Sequence, residues 1–181
     1  MQRVVVIGNT GSGKSTFARK LALAIGVPYV ESDDLFWEPG WVEVDNDVFR
    51  QRLDDASSAD AWVIAGNYLS RATDITWPRA DTIVWLDLPL PLVISRSIRR
   101  TIKRGVTREL VCNGNTEKVR FILPERFTGE KPLWQYAREH HERHRPRIES
   151  MLREVTADVH RLRSRAEVAR FLGLQGPVQP A

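Results

Sequence analysis

The sequence predicts an α/β fold, a parallel sheet covered by helices on both faces, on three observations. Short β-branched runs alternate along the chain with segments of helical period. The first run, Arg3–Gly8 (R-V-V-V-I-G), has no polar alternation, as expected of a parallel strand buried on both faces. That run passes through a glycine-rich turn directly into a helix.

Taken in order, Arg3–Gly8 is the central strand, and from Lys14 the residues Phe17, Ala18, Leu21, Ala22 and Ile25 recur at helical spacing until Gly26 and Pro28 stop the helix. Tyr29–Glu31 reads as a short second strand, residues 47–56 as a helix, 61–65 (A-W-V-I-A) as a third strand and 82–88 (T-I-V-W-L-D-L) as a fourth. Asp158–Leu162 is a weaker fifth. Helices are expected over 91–104, where Leu92, Val93, Ser95 to Ile98 and Ile102 mark the apolar stripe, over 132–155, and over 165–172. Pro146 is expected to bend or divide the long one. Residues 105–131 have no clear period and carry Asn113-Gly114-Asn115, so they read as a mobile insertion. The organisation is one domain over 1–174, a lid at about 105–131 and a disordered tail at 175–181.

At 181 residues with 42% hydrophobic and 28% charged side chains, the composition is that of a globular protein. No apolar run approaches the ~20 residues needed to span a bilayer. The apolar stretch after Met1 is too short for a cleaved leader. The single cysteine, Cys112, excludes an internal disulfide and suits a reducing, cytoplasmic setting; nothing near it in sequence would activate it. The net charge of +4 suits a protein that holds polyphosphate as well as one that holds nucleic acid. Its distribution is more telling, because Arg96, Arg99, Arg100, Lys103, Arg104 and Arg108 follow one another with no intervening acid.

The strongest motif is Gly8-Asn9-Thr10-Gly11-Ser12-Gly13-Lys14-Ser15-Thr16, which matches G-x-x-x-x-G-K-[ST] between a buried strand and an amphipathic helix. Its glycines let backbone N–H groups approach phosphate oxygens, and the helix N-terminus adds a favourable dipole. Lys14 then reaches the β- and γ-phosphates of ATP, and the Ser15 hydroxyl ligates Mg²⁺. The metal also calls for a carboxylate at a strand end. Asp33 and Asp34 after the second strand are best placed, with Asp87 after the fourth as another candidate. The plainer reading is that Asp34 caps a helix beginning at Leu35 and that Asp87 satisfies a turn before Pro89.

On these residues the chain resembles small P-loop kinases of the adenylate-kinase and shikimate-kinase type, and more closely the bacterial DNA topology modulation proteins. The likeness covers nearly the whole chain. Beyond the P-loop it rests on Asp33-Asp34-Leu35-Phe36-Trp37, on Trp62 to Tyr68, on Arg79 to Asp87, on Arg96, Arg100 and Arg104, and on Leu162 to Val168. It implies a three-layer α/β/α P-loop fold, a five-stranded parallel sheet in the order 2-3-1-4-5, an acceptor region after strand two that takes in Gly66, and an arginine-bearing lid after strand four. It also implies that Arg163 stands by the nucleotide. One departure matters: such kinases commonly carry aspartate before the glycine that ends the third strand, and here Ala65 precedes Gly66. Either Asp33 takes over the magnesium waters or activity is weak.

Four residues apart on a helix, Arg96, Arg100 and Arg104 share one face and can present guanidinium forks to the transferred phosphoryl group. Trp37, Trp41, Asn67, Tyr68 and Arg79 are expected to ring the acceptor pocket, with Arg79 holding an anionic group. His140, His141 and His144 lie in H-H-E-R-H, which is not a zinc signature and is surrounded by arginines. The leading expectation is a phosphotransferase that uses ATP and Mg²⁺, with Lys14, Asp33, Arg100 and Arg104 in the chemistry and a nucleoside-like or nucleotide-like acceptor. It would act as a monomer or homodimer. The alternatives are an ATP-binding regulator that contacts DNA through its basic helices and an NTPase that needs no acceptor.

Overall fold

A computed structural model of the chain describes residues 1–129 and 131–175. Of the tail expected to be disordered at 175–181, Gln175 is described, its N–H donating to Leu172 O, and 176–181 lie outside the described residues. Five parallel strands form the central sheet: β1 (Arg3–Gly8), β2 (Tyr29–Glu31), β3 (Trp62–Ala65), β4 (Thr82–Leu86) and β5 (Asp158–Leu162). Counted among themselves they lie side by side as β2-β3-β1-β4-β5. The helices are α1 (Lys14–Ile25), α2 (Ser32–Phe36), α3 (Asn46–Ala56), α4 (Thr73–Thr76), α5 (Leu90–Thr107), α6 (Glu125–Thr128), α7 (Leu133–Met151) and α8 (Arg165–Gly173). Pro146 lies inside α7, which runs through it undivided. None of the described helices is long and apolar enough to cross a membrane.

Successive side chains of a strand point to opposite faces, so each apolar strand feeds two cores. Val5, Ile7, Ile64, Ile83 and Trp85 face α2, α3 and α7, where Phe36, Phe49, Leu53 and Ile148 meet them. Val4, Val6, Val63, Ala65, Val84 and Leu86 face α1 and α8, where Phe17, Ala18, Leu21 and Phe171 close the layer. Trp62 and Trp85 are core residues, 1% and 3% exposed. Along α5 the buried line is Val93, Ser97 and Thr101, while Ile102, expected on the apolar stripe, is 40% exposed. This helix approaches the glycine-rich loop at Gly11, where a Cβ would stand 2.5 Å from Val93 O and 3.1 Å from Ser97 Cβ, and Thr101 donates to Glu117.

The register Gly8↔Leu86 and Val6↔Ala65 brings the carboxyl ends of β1, β3 and β4 to one edge, beside the glycine-rich loop after β1. Asp87 sits at that edge but is not free for a metal. Its carboxylate, 3% exposed, accepts from Arg145 at 3.0 Å and Arg161 at 2.6 Å, and Arg161 also donates to Glu149 at 2.7 Å. Asp87 therefore ties β4, β5 and α7 together. Asp87→Ala leaves two guanidiniums without their shared carboxylate, and urea unfolding should show a loss of about 3 kcal/mol. An unchanged midpoint would contradict this structural role.

Candidate active site

The loop after β1 meets α1 at Gly13, which caps the helix in the left-handed region at φ 92° and supplies no side-chain cap. The first turn of α1 also carries no acidic residue. By contrast Asp45 caps α3 and Ser164 caps α8. The first N–H groups of α1 have no intrahelical acceptor, so this helix end is shaped to take an anion. Gly11, at φ 81°, is forced by close approach: a Cβ there would stand 2.5 Å from the carbonyl oxygen of Val93 on α5. Asn9 fixes the loop from the other side, donating to Ala137 O on α7 at 2.5 Å and accepting from Thr10 N at 2.8 Å.

Half-buried Lys14 donates to Asn9 O at 3.4 Å. Burial pushes its ammonium pKa down, against the opposing pull of Asp33 and Glu31. Glu31 was not among the sequence candidates. Its carboxylate accepts from the Tyr29 hydroxyl and hydrogen-bonds the Ser15 hydroxyl, and burial raises its pKa. It is the last residue of β2, so the rule that polar groups at strand ends line the crevice would have found it. Asp33 lies in the first turn of α2 and accepts from the Tyr68 hydroxyl at 2.7 Å. Asp34 is within α2 and exposed, so it does not cap a helix starting at Leu35. Ala65 is buried against α1, and the carboxylates at this edge of the sheet come from β2 and α2 instead. Gly66 must be glycine because a Cβ would lie 2.4 Å from Ser32 Oγ.

The arginines of α5 divide their work. Arg96 donates to Ser12 O at 3.1 Å and Arg100 to Thr10 Oγ1 at 3.3 Å, so both brace the loop. Arg104, expected on the phosphates, is instead held at 2.7 Å by Glu117, which also accepts from Thr101. The expected lid begins later than residue 105, since α5 continues to Thr107, and it is less irregular than its sequence. It holds a hairpin of Leu110–Val111 with Asn115–Thr116, a turn of 3₁₀ helix at Val119–Ile122, and α6. Glu130 within the expected span lies outside the described residues. Asn113 donates to Asp34 O and Trp37 O at 2.7 and 2.6 Å. Asn115 donates to Glu38 O and accepts from Trp41 N. The hairpin is thus docked on the segment after β2.

Of the expected acceptor residues, Asn67 and Tyr68 reach the strand-end crevice, whereas Trp37 stands edge-on to Phe36 and Trp41 and packs under the lid hairpin. Arg79 is at the opposite, amino-terminal edge of the sheet. There it donates to Asp54 Oδ1 and Ser57 Oγ, both at 2.7 Å, and its expected role in holding an anion is excluded by that position. Arg163 is exposed beyond the end of β5, its N–H donating to Glu167. Among the described residues no cluster of three or more metal-ligating side chains forms. Cys112 is half-buried, its thiol pushed up to about 12 by burial first and then by nearby carboxylates, which leaves it unreactive. A wall that the sequence did not suggest comes from α7, where Tyr136 stacks on His140 at 3.5 Å and His140 meets His144 at 4.2 Å.

No family model matches the chain. It is 28% identical over 170 residues to a shikimate kinase of Nitratidesulfovibrio vulgaris, covering 86% of this chain and 94% of that protein. It is 26% identical over 144 residues to a shikimate kinase of Corynebacterium efficiens, covering 73% and 80%. Among solved structures, shikimate kinase from Acinetobacter baumannii in complex with shikimate superposes with a TM-score of 0.57 at 17% identity, over 96% of this chain and 92% of that one. A gluconokinase from Sinorhizobium meliloti does so with a TM-score of 0.52 at 21% identity, over 96% and 94%. The fold is that of small P-loop kinases; these likenesses lend nothing to the closer resemblance to DNA topology modulation proteins.

The buried Asn115 holds the hairpin to the body through two hydrogen bonds, to Glu38 O and from Trp41 N, while its bond to Cys112 O closes the hairpin turn. Asn115→Ala should raise amide hydrogen exchange across residues 108–128 at least tenfold while leaving β1 and α1 protected. Unchanged exchange in the hairpin would show that other contacts hold it.

Proposed function

We propose that this protein is an ATP-dependent phosphotransferase that moves the γ-phosphoryl group to a hydroxyl of a small acceptor. One observation carries the reading. An uncapped helix N-terminus, the Lys14 ammonium and the Ser15 hydroxyl meet two carboxylates, Glu31 at the end of β2 and Asp33 in α2, in one crevice. The likeness to shikimate kinases and a gluconokinase supports the same chemistry on a small acceptor.

Magnesium-bound ATP supplies the transferable phosphoryl group. The loop amides and Lys14 hold and neutralise the phosphates, and the Ser15 hydroxyl with Glu31 beside it offers the oxygen donors that a magnesium ion and its waters require. Asp33, fixed by the Tyr68 hydroxyl, accepts the proton of the attacking hydroxyl. Arg100, anchored on Thr10, stands ready for charge developing on the transferred group. The lid hairpin, closed over 34–41, keeps water from the phosphoryl group, which weighs against an NTPase that needs no acceptor.

A DNA-binding role loses part of its support, because Arg96, Arg100 and Arg104 turn inward onto Ser12, Thr10 and Glu117 and leave only Arg99, Lys103 and Arg108 of the basic run exposed. A nucleotide-like acceptor loses its expected anion holder with Arg79 at the far edge of the sheet. The single cysteine keeps a reducing cytoplasmic setting in this reading.

The test is ADP release with Mg²⁺ across a panel of hydroxyl compounds. Release should rise with one acceptor class. Lys14→Ala should cut it by about 10²- to 10³-fold with the fold intact. Asp33→Asn should lower kcat by about 10²-fold or more while KM for ATP changes less than threefold. ADP release equal with and without every acceptor would contradict the proposal.

A further inference from the structure

Tyr29 and Glu31 stand two residues apart on β2, so both side chains leave the sheet on the side of α1. There the Tyr29 hydroxyl donates to Glu31 Oε2, and both groups hydrogen-bond the Ser15 hydroxyl in the first turn of α1. One turn farther along α1, the Arg19 guanidinium lies over the Tyr29 ring, 5.1 Å from its centre. The phenol is thus clamped, its ring by Arg19 and its hydroxyl by Glu31 and Ser15. Nothing in the phosphoryl transfer itself uses it.

Lys14 supplies the reason for such a clamp. Its ammonium feels the charges of Asp33 and Glu31, yet among the described residues it forms an ion pair with neither and donates to Asn9 O at 3.4 Å. A half-buried carboxylate is stabilised by whatever cation it can reach, and a glutamate has several side-chain torsions with which to reach it. Turned onto Lys14, Glu31 would neutralise the ammonium that the phosphates require and would leave Ser15 alone at the metal. Asp33 is kept from the same pairing by the Tyr68 hydroxyl at 2.7 Å. Each of the two carboxylates beside Lys14 is therefore tied to a tyrosine of its own.

We infer that Tyr29 is a positioning residue, whose hydroxyl holds the Glu31 carboxylate beside Ser15 and off Lys14, so that magnesium and the phosphates each find their partner free. Glu31 and Ser15 supply the oxygens for the metal; Tyr29 acts only through Glu31. The inference rests on the phosphotransferase reading for its effect on turnover and on the metal site alone for its effect on binding.

Tyr29→Phe keeps the ring beneath Arg19 and removes one oxygen, so its Tm should hold. Calorimetric titration of Mg²⁺ into the ADP-loaded protein should show an affinity about tenfold weaker than the parent's. ADP titrated in EDTA should also bind more weakly, because Glu31 then competes for Lys14. The deciding comparison is a double-mutant cycle: in a Glu31→Gln background, Tyr29→Phe should change neither affinity by more than about twofold. Raising Mg²⁺ should bring kcat for acceptor-dependent ADP release back to within about threefold of the parent, a split that a packing defect would not give. Unchanged Mg²⁺ affinity in Tyr29→Phe, or an equal loss in the Glu31→Gln background, overturns the inference and leaves the phosphotransferase standing. A Tm that falls together with both affinities, whatever stands at position 31, gives the phenol a structural role and overturns it too. The expected titrations without acceptor-dependent ADP release uphold Tyr29 and sink the phosphotransferase.

Discussion

A charged ammonium must be held at the end of a dry parallel sheet, and the rest of the site follows from that constraint. Lys14 is partly stripped of water where it enters α1, which lowers its pKa; Asp33 and Glu31 oppose this. Those carboxylates are costly in the same place, and Glu31 shows it in a raised pKa despite the hydroxyls of Ser15 and Tyr29. A cation, two acids and an uncapped helix end are therefore mutually dependent. Polyphosphate with a divalent metal is the chemistry that satisfies all of them at once.

The same economy explains the lid. Its hairpin carries Asn113 and Asn115, whose amides bind backbone carbonyls of the segment after β2, and it is followed by Glu117, which engages Thr101, Arg104 and Arg100 of α5. One short piece of chain thus touches both the acceptor side and the helix that braces the phosphate loop.

What the sequence disclosed was local. A strand, a glycine-rich turn and a helix are encoded by neighbours in the chain, so the P-loop, Lys14 and the five parallel strands were readable from periodicity and motif. Which carboxylate an arginine meets is a tertiary fact. Arg104 sharing a helical face with Arg100 did not reveal Glu117 thirteen residues away, and Arg79 gave no sign that the chain would carry it to Asp54 at the wrong edge of the sheet. Asp87 read as a metal candidate because strand ends favour polar groups, but Arg145 and Arg161 arrive from 58 and 74 residues downstream. The histidines of α7 were dismissed as a zinc site, and their stacking toward the crevice depends on a helix packing that no local pattern encodes.

The central claim is that the crevice transfers a phosphoryl group to a hydroxyl and does not merely hydrolyse ATP. Phosphorus-31 NMR of the protein with ATP, Mg²⁺ and the acceptor panel follows that group directly. A phosphomonoester resonance should grow in step with ADP for at least one acceptor, with little inorganic phosphate, and should vanish in Lys14→Ala. Inorganic phosphate growing in step with ADP for every compound, with no ester signal, would contradict the account.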